Sequence, residues 1–125
     1  MTELTIYERA GGQEFFDALV AAFYRGVQED SLLLPMYPED LTDAHSHLSL
    51  FLSQYFGGPR DYEATRGHPR LRMRHAEFRI TKRARDAWLL HMRAALEEVG
   101  QLLAVDDRAE ISEYFEMAAR QLRNV

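Results

Sequence analysis

Wherever the 125-residue chain carries a hydrophobic pattern, that pattern repeats at three and four residues; no stretch alternates cleanly with period two. Such spacing puts each apolar run on one face of a helix, so the chain builds its core by packing helices rather than by pairing strands. The fold class read from this is all-α, in a single domain over residues 1–125. Phe15, Phe16, Leu19, Val20, Phe23 and Val27 mark the buried face of one long helix. Ala44, Leu48, Phe51, Leu52, Tyr55 and Phe56 mark a second. Ala84, Trp88, Met92, Ala95 and Val99 mark a third, and Ile111, Tyr114 or Phe115, Ala118 and Leu122 a fourth.

The punctuation agrees with these four helices. Thr5-x-x-Glu8 offers a capping box for a short first helix that Gly11-Gly12 would end. Pro35 and Pro38 keep the Met36-Tyr37 stretch from regular helix. Thr42 or Asp43 is the expected N-cap of the second long helix, which Gly57-Gly58-Pro59 stops. Thr81 caps the third, which ends at Gly100, and Asp107-x-x-Glu110 suggests a capping box for the last. Arg60 to Arg70 has no convincing period. A loose connection of that length inside a small domain is commonly functional. One or two helical turns around His75 would carry Leu71, His75 and Phe78 inward.

Composition narrows the chemistry. The chain has no cysteine, which removes disulfides, zinc-thiolate sites, iron–sulfur clusters and covalent haem attachment. Met1 to Arg9 lacks the apolar core of a signal peptide, and no run approaches the ~20 apolar residues of a membrane span. The expected location is the cytoplasm. A net charge of −5 argues against nucleic acid or an anionic membrane as partner. Yet eight of the 15 Lys and Arg residues fall between Arg66 and Arg85.

Inside that basic run lies His75, with Arg70, Arg72, Arg74 and Arg79 around it. Such crowding is costly unless water solvates the charges or an anion joins them. Guanidinium neighbours disfavour a further cation, which leaves an imidazole nitrogen free for a metal. A haem satisfies both facts, its iron taking the imidazole and its propionates the guanidinium groups. A solvated basic face is the plain alternative, and a phosphate-binding helical module without haem is another. Tyr24 falls at the edge of its helix's buried stripe, beside Val20 and Val27. Its hydroxyl either points into a cavity or bonds a backbone carbonyl. Tyr37, between Met36 and Pro38, has the same two readings. Trp88 is the one tryptophan, and its indole N–H can only donate. His45 and His47 lie two apart on a helix and face different ways, so they make no metal pair. His68 and His91 offer no better case. His75-Ala76-Glu77 resembles the start of a zinc deaminase signature whose cysteines are missing.

Taken together, several segments resemble the truncated haemoglobins of group II, the O-type. They are Gly11-Gly12, Phe23-Tyr24, Tyr37-Pro38-Glu39-Asp40, Tyr55-Phe56-Gly57-Gly58-Pro59, the run Gly67-His68-Pro69-Arg70-Leu71-Arg72-Met73-Arg74-His75, and Asp86-Ala87-Trp88-Leu89. The resemblance spans Ile6 to about Leu122. It implies a truncated globin fold, a two-over-two helical sandwich whose segment before the proximal histidine is largely irregular. It implies haem b as cofactor, with His75 as the metal ligand. Tyr24, Tyr37 and Trp88 match the family's distal polar residues, and Ala44 and Leu48 its distal-helix positions. Phe23, Phe51, Leu52, Phe56, Phe78, Ile80 and Met92 would be apolar haem contacts. Propionate partners are expected among Arg72, Arg74, Arg79 and nearby tyrosines.

One position departs from the common globin pattern. Ala44 stands where a distal histidine or glutamine often sits, so distal hydrogen bonds fall to Tyr24, Tyr37 and Trp88. Each bond to a partly negative ligand is worth roughly 1.5–3 kcal/mol, so two or three imply slow oxygen release. The resemblance therefore implies a protein that binds dioxygen and other small diatomic or anionic ligands. The alternative is a redox enzyme, a nitric oxide dioxygenase or peroxidase-like, fed by an external reductase because the chain shows no flavin site. Assembly stays open between monomer and homodimer.

Overall fold

A computed structural model describes residues 3–125. Seven α-helices occur among the described residues: α1 (Ile6–Ala10), α2 (Gln13–Gln28), α3 (Thr42–Tyr55), α4 (Asp61–Arg66), α5 (Leu71–His75), α6 (Lys82–Val99) and α7 (Val105–Leu122). A 3₁₀ turn at Leu34–Met36 leads to Tyr37. The long helices α2, α3, α6 and α7 follow the four periodic runs. α2 packs on both α3 and α6, and α6 on α7. This is the two-over-two helical arrangement, without a strand among the described residues. Thr5 makes the expected capping box with Glu8 at the start of α1, and Gly11 ends that helix in the left-handed conformation.

The core sits between the two helix pairs. Phe16, Leu19, Val20, Phe23 and Val27 of α2 are fully buried, as are Met92 of α6 and Ile111 and Phe115 of α7. Aromatic rings link the layers. Phe16 lies against Phe56 at 5.9 Å and Phe56 against Tyr114 at 5.7 Å, while Trp88 bridges Phe23 at 5.7 Å and Phe115 at 5.9 Å. The Phe16–Phe56 pair is stacked and the others meet edge to face; aromatic pairs of both kinds add stability beyond the area they bury. The turn after α3 needs both its glycines, for different reasons. Gly57 has φ 96°, a value that side-chain-bearing residues avoid. Gly58 does not; there a Cβ would stand 2.6 Å from the Tyr7 ring and 2.8 Å from the Ser53 carbonyl oxygen.

Three local expectations change. α3 takes Leu41 as its N-cap, in place of Thr42 or Asp43, and the Asp40 carboxylate accepts from the Thr42 N–H at 2.9 Å. Asp107 lies inside α7 and caps nothing. It is buried and takes a two-pronged bond from Arg9, Nε to Oδ2 at 2.9 Å and Nη2 to Oδ1 at 2.8 Å. This pairing ties α1 to α7, and a fork of that kind satisfies a buried carboxylate. The loose stretch contains α4, whose six residues are too few to show a period. The short segments α4 and α5, with the turns around them, form a wall beside α3 and α7. No described helix is long and apolar enough to cross a membrane.

Candidate haem pocket

Two adjoining cavities, of about 480 and 210 Å³, open between α3, α5, α6 and α7. They share Tyr37, Ala44, His47, Arg74, His75, Trp88 and Leu122 as walls. Leu48, Phe51, Leu52 and Phe115 line the smaller one, and Met36, Phe78, Ile80 and Ala84 the larger. An apolar slot with a few converging polar groups is the usual form of a cofactor site.

His75 ends α5 and is half-buried. Its Nδ1 lies 2.7 Å from the Leu71 carbonyl oxygen, one helical turn back. A carbonyl only accepts, so Nδ1 carries the proton and donates it. In the neutral ring that leaves the lone pair on Nε2. This is how metal-binding histidines are oriented and their tautomer fixed. The short helix is aimed by its entry. Arg70 adopts a left-handed conformation, φ 45°, and its N–H donates to His68 Nδ1 at 3.1 Å.

The donor side is built from three elements. Tyr24 of α2 is 7% exposed and packs edge-on against Tyr37 at 5.6 Å and against His45 at 6.1 Å. Burial, and secondarily the Tyr37 phenol, drive the Tyr24 phenol well above its ordinary value. Burial pushes Tyr37 up to about 12. Both are neutral O–H donors at physiological pH, and neither hydroxyl bonds another described residue. Trp88 of α6 completes the set. Ala44 itself adds no polar group to the wall.

At another corner the pocket is cationic. Arg74 donates from Nη2 to the Arg66 carbonyl at 3.0 Å, and Arg66 donates from Nη1 to His47 Nε2 at 3.0 Å. Burial, then Arg66 and Arg74, hold the His47 imidazole below its usual range against the opposing pull of Asp43. The Arg66 guanidinium lies 6.0 Å from the centre of the Tyr62 ring. The Nε atoms of Arg66 and Arg74 are buried without a partner, and neither side chain pairs with a carboxylate among the described residues. Arg74 lines both cavities and Arg66 the larger one, and guanidinium groups without a carboxylate partner favour an anion placed beside them. A haem fits these residues on three counts: a free imidazole nitrogen, an apolar slot, and cations wanting carboxylates.

The structure brings together most of the residues singled out from the sequence. His75, Tyr24, Tyr37, Ala44, Leu48, Phe51, Leu52, Arg74, Phe78, Ile80 and Trp88 all line the pocket. Phe23, Phe56 and Met92 do not; they are buried in the core behind it. Arg72 and Arg79 face a separate surface recess with Arg123 and Val125. His47, Tyr62 and Arg66 also line the pocket without a local signal that assigns them to it: His47 makes no metal pair with His45, and the other two lie on the short helix α4.

The bacterial-like globin family model matches residues 5–123. The group 2 truncated hemoglobin YjbI of Bacillus subtilis is 41% identical over 113 residues, 90% of this chain and 84% of that protein. The solved haemoglobin of the thermophilic phototrophic bacterium Chloroflexus aurantiacus superposes with a TM-score of 0.95 at 50% identity, over 98% of this chain and 100% of that one. A truncated oxygen-avid haemoglobin from Bacillus subtilis gives a TM-score of 0.89 at 40% identity, over 97% of this chain and 100% of that one. The chain therefore belongs to the bacterial-like globins, and within them to the truncated haemoglobins of group II.

Proposed function

We propose that this globin holds haem b through His75 Nε2 and binds dioxygen or another small diatomic or anionic ligand, releasing oxygen slowly. The observation that carries the reading is the His75 Nδ1–H bond to Leu71, which leaves Nε2 free in a pocket that also contains three hydrogen-bond donors. When bound, the haem supplies an iron that accepts a small ligand.

The chain's residues do the rest. Arg66 and Arg74, which line the cavities and pair with no carboxylate among the described residues, neutralise the propionates. Leu48, Phe51 and Leu52 keep water out of the slot. The Tyr24 and Tyr37 hydroxyls and the Trp88 N–H donate to a ligand carrying partial negative charge. They strengthen as that charge grows, because charge-assisted bonds are about twice as strong as neutral ones. The Bacillus subtilis relative is described as oxygen-avid, and this donor set supports the same property here. Cytoplasmic location fits the cysteine-free composition.

Titration of the purified protein with haem tests the reading. The expected result is one haem per chain with an intense Soret band, and an oxygen complex that outlasts its Tyr24→Phe counterpart. Absence of a Soret band at equimolar haem would overturn it.

A further inference from the structure

α5 is only five residues long, too short to be stable as an isolated helix, so His75 depends on what holds the backbone around it. Support comes from beyond the end of α7. Asn124 turns back on the segment that begins at His75. Its Oδ1 accepts from the Ile80 N–H at 2.9 Å. Its Nδ2 donates to the Phe78 carbonyl at 2.9 Å and to the His75 carbonyl at 3.4 Å. The Asn124 N–H donates to the Ile80 carbonyl at 3.0 Å, joined there by the Val125 N–H at 3.3 Å. Among the described residues, no other side chain bonds the backbone of residues 75–80.

We propose that Asn124 is a positioning residue for His75, setting the imidazole's height and rotation relative to α7. The proposal rests on the haem reading above. α7 contributes Ala118, Ala119 and Leu122 to the pocket wall, so a clasp at its exit registers the histidine against that wall. The geometry calls for a primary amide: one acceptor for a backbone N–H and two donors for two carbonyls. An aspartate keeps the bond to Ile80 but turns its second oxygen toward the His75 and Phe78 carbonyls. Alanine loses all three side-chain bonds.

The test compares haem-loaded wild type with Asn124→Ala and Asn124→Asp. Three signals are read: the iron–histidine stretching band of the ferrous protein, haem transfer to excess apomyoglobin, and the carbon monoxide stretching band. Both variants are expected to shift or broaden the iron–histidine band and to release haem roughly tenfold faster, the effect of about one lost hydrogen bond. The carbon monoxide band, which reports the Tyr24 side, should stay in place. Asn124→Asp separates positioning from stability, since it retains the Ile80 bond yet should still shift the band. If either variant fails to fold, Asn124→Ser is read the same way. A wild-type iron–histidine band in the variants overturns this inference and leaves the haem reading standing. A wild-type chain that takes up no haem overturns both.

Discussion

Removing one oxygen atom from Tyr24 separates its structural work from its work on the ligand. The ring packs against Phe23 at 5.0 Å and Tyr37 at 5.6 Å, and Tyr24→Phe keeps both contacts. The hydroxyl bonds no described residue, so its loss strands no protein donor or acceptor, and stability should be nearly unchanged or slightly higher. The effect on a bound ligand is different. A charge-assisted hydrogen bond is worth roughly 1.5–3 kcal/mol, which corresponds to about a ten- to hundredfold faster oxygen dissociation. Stopped-flow replacement of oxygen by carbon monoxide reads the rate, and a thermal melt of the same sample reads stability. An unchanged dissociation rate refutes the reasoning. So does a melting temperature lowered by several degrees with an unaltered rate, since that would make the hydroxyl a structural group.

Other consequences lie around the pocket. Arg74→Leu removes a cation whose Nε has no protein partner, and haem transfer to apomyoglobin should accelerate roughly tenfold; an unchanged rate would place the propionates elsewhere. Gly26→Ala sets a Cβ 2.5 Å from His91 Nδ1, while His91 Nε2 is bonded to Asp30 at 2.6 Å. The expected cost is about 1–3 kcal/mol of overpacking, which equals or exceeds the ~1 kcal/mol alanine gains over glycine in a helix; a melting temperature above wild type would contradict it. Arg9 holds the Asp107 carboxyl below its ordinary value of 3.8. That stabilisation is fully present above the ordinary value and is lost as pH falls through the depressed native one. The gap in melting temperature between wild type and Asp107→Asn should therefore be widest near neutral pH and narrow in acid; a gap independent of pH would refute it.

The long helices were legible because each buries one stripe, and a stripe of 14 to 18 residues repeats often enough to be read. The place of His75 in the pocket was legible through the run of residues that precedes it. A helical stripe shows what is buried but not against what. Phe23 and Met92 share the apolar faces of α2 and α6 with pocket residues, and Phe56 directly follows that of α3, yet all three face the core. The arginines show the same limit. Arg72 and Arg74 are two apart on α5 and so leave the helix in different directions, one to a surface recess and the other to the pocket. Arg66 and Tyr62 sit on a helix of six residues, with no period to announce it. Asp107 imitates a cap in sequence, and only the approach of Arg9 from far along the chain explains it. The Asn124 clasp is likewise a long-range contact that no local pattern encodes.

The central claim is that His75 Nε2 is the ligand the pocket offers to iron, and removing that side chain addresses it directly. His75→Gly should release haem at least about a hundredfold faster than wild type, beyond the 10- to 100-fold that partners of a metal ligand usually contribute. Free imidazole, filling the space left by the side chain, should restore the wild-type absorption spectrum. A His75→Gly protein that binds haem with the wild-type spectrum and release rate, indifferent to imidazole, would contradict the account.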